Sequence, residues 1–303
     1  NSYPCSASAK SIEALLRKWW VMNKWILGAR PRTLSAAIAP VVVATALAGS
    51  DWNWFRAVLA LKVGIWLQIG VNYANDYSDG VKGSDANRIG PTRLVASGLA
   101  TAGQVKRAAF ISFAFASVSG LWLSLLTSPW LILVGIAAIA AAWGYTGGKN
   151  PYGYSGWGEV SVFVFFGLIA TIGTYYTQTG EVTALSVLCA VTMGSLSCAI
   201  LVINNIRDRA QDKLVGKRTL AVRIGDSKAR KGFVSLLAIA HLSALATLIP
   251  QSLMTLLVLP LTVSISRSVI SGATDSALIP LLGKTGKLQM FFGALFTLAL
   301  AIQ

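Results

Sequence analysis

An all-α integral membrane bundle of nine transmembrane helices is the fold class this sequence predicts. Three observations predict it. Of 303 residues, 54% are hydrophobic and 12% charged, about half the charged share of a soluble domain, and mean hydropathy is +0.63. Charge-free stretches long enough to cross a bilayer recur along the chain. The 26 Lys and Arg, set against 11 Asp and Glu, fall almost entirely in alternate connections between those stretches. This composition excludes a disordered chain and a soluble enzyme. A net charge of +15 on so apolar a chain reads as orientation in a membrane and needs no nucleic acid.

The elements follow in order. Residues 1–27 form a tail with an interfacial helix over 11–27, because Trp19, Trp20 and Trp25 are mixed there with Arg17, Lys18 and Lys24. Residues 28–303 form the membrane domain. Residues 33–50 are uncharged and make the first span. Residues 54–78 make the second, since Arg56 and Lys62 near its start can snorkel to the interface. The uncharged run 108–148 has 41 residues, too many for one crossing, and Ser128-Pro129 divides it into helices at 104–127 and 129–146. Spans at 158–179 and 182–208 follow. Pro250-Gln251-Ser252 divides the 35-residue uncharged run 232–266 into helices at 228–249 and 251–270. The ninth span is 286–303. With nine spans, 24 of the 26 basic residues lie on one face. The positive-inside rule makes that face cytoplasmic, with the N-terminus inside the cell membrane and the C-terminus outside.

Acids are scarce, so their positions are informative. Five of the 11 lie in two short clusters, 72–85 and 204–213, each closing an apolar helix on the basic face. Asn72, Asp76 and Asp79 have i, i+4, i+7 spacing, and Asn204, Asp208 and Asp212 have i, i+4, i+8 spacing, so each set makes one helical stripe. Stacked carboxylates repel and are costly near lipid. Mg²⁺ removes both problems and bridges one or two carboxylates to phosphate oxygens. Two facing stripes would therefore hold Mg²⁺ and a diphosphate, with the Arg and Lys that follow each stripe gripping the phosphates.

These residues, with N-D-x-x-D at Asn75–Asp79 and D-x-x-x-D at Asp208–Asp212, resemble the UbiA-type intramembrane prenyltransferases. The likeness extends to Gly28-Ala-Arg-Pro-Arg-Thr, Gln68-Ile-Gly-Val-Asn-Tyr-Ala-Asn-Asp-Tyr-Ser-Asp-Gly, Arg88-Ile-Gly-Pro, Gly144-Tyr-Thr-Gly-Gly, Pro151-Tyr-Gly-Tyr and Gly216-Lys-Arg-Thr-Leu-Ala-Val-Arg-Ile-Gly. Those runs resemble the branch that prenylates 1,4-dihydroxy-2-naphthoate.

The resemblance implies Mg²⁺ held by Asp76, Asp79, Asp208 and Asp212, clamping the diphosphate of a polyprenyl donor. Asp85 is a further metal candidate, placed in a loop because it lies six residues after Asp79 where other branches have four. Lys82, Arg93, Lys149, Lys217 and Arg218 would meet the leaving group, and Arg30 and Arg32 would lie at a cytoplasmic lid. Asn72, Asn75, Asn204 and Asn205 are counted with the substrate contacts. Tyr73, Tyr77, Trp143 or Tyr145 would shield the allylic cation, Tyr145 and Lys149 being counted as catalytic. The product would be demethylmenaquinone, with pyrophosphate and CO₂ released. Loss of Asp76 or Asp208 is expected to abolish turnover without unfolding.

Other readings compete. Another acceptor, a hydroxybenzoate or homogentisate, fits the same superfamily. A cation-coupled transporter would place its ionisable residues at the bilayer midplane rather than at one end. A phosphatidyl transferase needs a D-G-x-x-A-R run, and Asp79-Gly80 is followed by Val-Lys-Gly. His241, Cys189 and Cys198 read as helix-packing residues, and Glu159 as an acid favoured at a helix start.

Overall fold

A computed structural model describes residues 24–84 and 92–303. The described residues are helical, without strands. The elements are α1 (Lys24–Ala29), α2 (Ser35–Leu47), α3 (Trp54–Val81), α4 (Ala102–Leu126), α5 (Leu131–Gly144), α6 (Gly158–Thr179), α7 (Ala184–Leu214), α8 (Leu220–Ile224), α9 (Asp226–Leu245), α10 (Pro250–Ile270) and α11 (Leu278–Ala301). Most of the predicted interfacial helix, and Asp85 and Arg88, lie outside the described residues.

The helix starts follow local chemistry. Asn53 caps α3, its side-chain oxygen accepting from the amides of Phe55 at 3.0 Å and Arg56 at 3.1 Å. Thr101 with Gln104, and Thr183 with Ser186, form reciprocal capping boxes on α4 and α7. The last helix starts eight residues earlier than predicted, because the apolar residues Leu278, Ile279, Leu281 and Leu282 supply its first turns. Pro280 falls in the first turn, where its missing N–H leaves no bond unmade.

Five helices, α3, α4, α6, α7 and α10, are long and apolar enough to cross a membrane, or six if the pair α1 and α2, bent by 51°, is one span. Every predicted span has a helical counterpart, yet the apolar-length criterion is met by fewer than nine. The 14-residue α5 is shorter than the roughly 20 residues a crossing needs. Charges in the first turns of α9, and Lys284, Lys287 and Gln289 in α11, dilute the apolar character of those two.

Packing among the described residues forms two main clusters and a small third one of Val41, Leu59, Ala60 and Leu123. The larger joins α2, α7, α9, α10 and α11 around Met193, Phe233 and Phe292. The second main cluster joins α3, α4 and α5 with the turn at 92–100 around Tyr73, Leu94 and Phe113. His241 sits in the larger as a packing residue, bonded to Thr262 at 3.1 Å and edge-on to Phe292. Between α6 and α7, Gly167 meets Gly194 so closely that an added Cβ would lie 2.7 Å from the Gly194 Cα. This contact lies within a π-helical stretch of α6, Phe163–Ile172.

Arg56 is tied to the ends of neighbouring helices. Its guanidinium donates to the carbonyls of Thr177 at 3.2 Å and Gln178 at 3.4 Å, and to that of Leu126 at 3.4 Å. It thus neutralises the C-terminal ends of α4 and α6, where carbonyls lack intrahelical donors and the helix dipole is negative. Arg56→Met is expected to cost about 1–2 kcal/mol of stability, read as a lower thermal unfolding midpoint in detergent, with Lys62→Met as the neutral comparison.

Candidate active site

A cavity of about 1200 Å³ opens between the two main packing clusters. Its mouth is polar, walled by α3 and α7 and roofed by the segment 30–33. Behind the mouth the lining turns aliphatic and aromatic, with Leu67, Leu123, Ile132, Ile139, Phe165 and Ile169 from α3 to α6. A charged group can thus be held at the mouth while a long apolar chain lies behind it.

On the α3 wall the cavity face is Asn72, Asn75 and Asp79. Asp79 is buried, and several donors converge on it. Lys217 Nζ donates at 3.0 Å and Arg93 Nη2 at 3.3 Å, forming two ion pairs, and Ser84 Oγ donates at 3.3 Å. The Tyr154 hydroxyl also donates to it. Lys82 and Lys217 stand over the Tyr154 ring, 4.7 and 4.4 Å from its centroid. Burial pulls the Lys82 ammonium below its ordinary range, against the opposing pull of Asp79, and Lys217 adds to the lowering. Asn75 accepts from Thr146 Oγ1 at 2.7 Å, and Lys82 donates to the Thr146 carbonyl at 2.8 Å.

Asp76 is placed differently from the sequence expectation. It is fully buried and does not line the cavity. Its two oxygens accept the backbone amides of Leu94 at 2.8 Å and Val95 at 3.0 Å. A carboxylate engaged by two main-chain donors fixes a turn, and Asp76 anchors residues 93–98 in this way. Asn72 is also engaged, donating to the Ala29 carbonyl at 2.8 Å and Thr33 Oγ1 at 3.0 Å.

On the α7 wall, the stripe residues Asn204, Asp208 and Asp212 line the cavity, and so does Asn205. Asp208 takes a bidentate grip from Arg207 at 2.7 and 2.8 Å. The Asp212 carbonyl accepts the Lys217 amide at 2.8 Å, which fixes the start of the basic loop. Asn204 bonds back to its own helix at Ile200, and Asn205 donates to Glu159 Oε1 at 2.8 Å.

The remaining predicted residues divide. Arg30, Arg32, Arg93, Lys217 and Tyr145 line the cavity. Lys149 and Arg218 are exposed and off its wall, because Gly148 turns the chain outward and Arg218 contributes its main chain, donating to the Tyr154 carbonyl at 2.7 Å. Of the four aromatic candidates only Tyr145 faces the cavity. The Tyr73 hydroxyl donates to the Trp25 carbonyl at 2.6 Å, while Tyr77 and Trp143 stack together beneath Lys106.

Sequence reasoning missed Tyr154, Ser84, Thr146 and Arg207. Tyr154 was legible only as part of the Pro151-Tyr-Gly-Tyr run. The others are residue types that abound elsewhere in the chain.

Among the described residues no three His, Cys, Asp or Glu side chains converge to hold one metal ion. The donor set still suits Mg²⁺ shared with phosphate, which takes one or two carboxylates beside substrate oxygens and waters. Asp79 on one wall and Asp208 with Asp212 on the other supply that number.

Comparison with known proteins agrees with the geometry. Residues 37–276 match the model of the UbiA prenyltransferase family. A 1,4-dihydroxy-2-naphthoate octaprenyltransferase from Mycobacterium tuberculosis is 47% identical, over 92% of this chain and 97% of that protein. The enzyme of the same name from Escherichia coli is 38% identical over 91% and 94%. Among solved structures, a UbiA homolog from Archaeoglobus fulgidus bound to DMAPP and Mg²⁺ superposes with a TM-score of 0.64 at 15% identity, covering 93% of this chain and 100% of that one. An apo UbiA homolog from Aeropyrum pernix superposes with a TM-score of 0.70 at 15% identity, over 87% and 96%. On the matched length, the identities and the shared fold, this chain belongs to the UbiA prenyltransferase family.

Proposed function

We propose that the protein transfers a polyprenyl group from polyprenyl diphosphate to 1,4-dihydroxy-2-naphthoate, releasing pyrophosphate and CO₂ and forming demethylmenaquinol, the reduced form of demethylmenaquinone. The observation that carries the reading is one cavity with carboxylates and cations at its mouth and an apolar chamber behind. The relatives named for this acceptor support the substrate class.

The roles follow from position. Asp79, Asp208 and Asp212 would hold Mg²⁺, which when bound would supply positive charge to the departing diphosphate. Lys217, Arg93 and Arg30 meet the departing pyrophosphate. The faces of Tyr145 and Tyr152, both on the cavity wall, shield the allylic cation. The apolar chamber houses the prenyl tail and keeps water from the cation. The naphthoate ring carbon bearing the carboxylate attacks, the new C–C bond forms, and the C–CO₂ bond breaks to restore the aromatic ring.

The same reading orients the chain. It takes nine spans with the site and N-terminus cytoplasmic, the C-terminus outside, residues 1–27 as a peripheral segment and 28–303 as the catalytic domain in the cell membrane. The basic residues of the mouth support that orientation.

Purified protein in lipid nanodiscs with Mg²⁺, dihydroxynaphthoate and a polyprenyl diphosphate is expected to release pyrophosphate and CO₂ in equal amounts. Turnover with 4-hydroxybenzoate and none with the naphthoate would move the protein to another acceptor. Turnover undiminished by EDTA would remove the metal from the mechanism.

A further inference from the structure

The turn 28–33 that roofs the mouth is fastened from below by α3. Gln68 Nε2 donates to Thr33 Oγ1 at 3.1 Å and to Asn72 Oδ1 at 3.2 Å. Asn72 Nδ2 donates to the same Thr33 Oγ1 at 3.0 Å and to the Ala29 carbonyl. The Thr33 hydroxyl in turn donates to the Arg30 carbonyl at 2.9 Å, and the Thr33 amide donates to that carbonyl at 2.9 Å. One hydroxyl thus accepts two bonds and gives one, its full capacity. Gln68 and Asn72 are 7% and 3% exposed, so these bonds are made away from water.

Arg30, whose carbonyl this network holds, is a non-glycine residue in the left-handed region, at φ 53°. That conformation is unfavourable for arginine and persists where its surroundings impose it. The preceding Gly28 is wedged against Tyr73 and Leu94, with no room for a Cβ. The turn is therefore tied at both ends, and Arg30 and Arg32 line the cavity mouth.

We infer that Thr33, held by Gln68 and Asn72, is a positioning residue that sets the Arg30 turn over the diphosphate before the donor arrives. This rests on the reading of Arg30 as a diphosphate contact. Presetting an arginine in a strained turn lowers the ordering cost of gripping the phosphate and so raises affinity for the donor. Such an effect belongs to binding, in the ground state and transition state alike, and appears in KM for the donor rather than in kcat.

The test is a double-mutant cycle on Thr33→Val, which keeps the shape and loses the hydroxyl, and Arg30→Gln. Thr33→Val is expected to raise KM for the polyprenyl diphosphate roughly tenfold, with kcat and the naphthoate KM within about twofold. Thr33→Ser restores the donor KM. Arg30→Gln raises it at least as much, and Thr33→Val adds nothing in the Arg30→Gln background. Inorganic pyrophosphate binding by calorimetry follows the same order. A full tenfold effect of Thr33→Val in the Arg30→Gln background overturns the inference. So does a wild-type donor KM in Thr33→Val beside an impaired Arg30→Gln. An unchanged donor KM in Arg30→Gln instead removes Arg30 from the diphosphate site, and the inference with it. Should Thr33→Val not fold, Gln68→Met carries the same cycle with an expected roughly threefold rise.

Discussion

Replacement of Asp79 by Asn is expected to lower kcat at least roughly 10³-fold, about 4 kcal/mol of transition-state stabilisation. Asp79 is the carboxylate on the α3 wall that faces the cavity, and it gathers Lys217, Arg93, Tyr154 and Ser84 at one point. Asn keeps the shape and one acceptor oxygen but removes the charge that binds a divalent cation and aligns the two flanking bases. Asp208→Asn on the opposite wall is expected to act similarly, because Arg207 then loses its bidentate partner inside the mouth. Pyrophosphate release gives kcat, and an Mg²⁺ titration gives the metal requirement, which rises in both variants. Near wild-type turnover in Asp79→Asn would place the ionising centre elsewhere.

Asp76→Ala is expected to fail in a different way. It strips the acceptors from the Leu94 and Val95 amides at a position with no solvent access. Each orphaned buried donor costs about 1–3 kcal/mol, so the variant loses about 2–6 kcal/mol. That is a large part of the roughly 5–15 kcal/mol by which proteins are stable. Thermal unfolding falls steeply, and limited proteolysis cuts earlier within 92–100. The fraction that stays folded keeps the wild-type Mg²⁺ requirement. A normal melting temperature with a raised Mg²⁺ requirement would return Asp76 to the ligand set. Two aspartates three residues apart in one motif are thus distinguished by which property each variant loses first.

This distinction marks where sequence reasoning stopped. A helix of 3.6 residues per turn places Asp76 about 60° around the axis from Asp79. Spacing alone makes both members of one broad stripe. Asn75, left off the stripe drawn from the sequence, lies on the cavity side, and Asp76 lies at the edge that the turn at 93–98 covers. On α7 the spacing i, i+4, i+8 needed no such arbitration, and Asn204, Asp208 and Asp212 all line the mouth. Lys149 and Arg218 lie off the cavity wall for a related reason. A basic loop residue is recognised by charge, but its direction depends on the backbone turn that carries it.

Arg56 gives the same lesson at the far end of the bundle. Read along the chain it is a charge in an apolar run. In the fold it is paired with the ends of two helices distant in sequence. The start of α11 was obscured in the opposite sense, since Lys284 lies inside a helix rather than before one.

What the sequence determined by itself was the helical membrane class, the asymmetry of the basic residues, the family and the two acidic helix ends. Those properties are carried by composition and by short-range period, which the chain displays without folding. The tertiary structure alone decided which carboxylates face the cavity and which tie down the backbone. It also decided that two lysines stand over the Tyr154 ring and that a threonine bonds the carbonyl of an arginine in a left-handed turn. These depend on contacts between residues tens to more than a hundred positions apart, and a buried polar group takes its role from the partner that satisfies it.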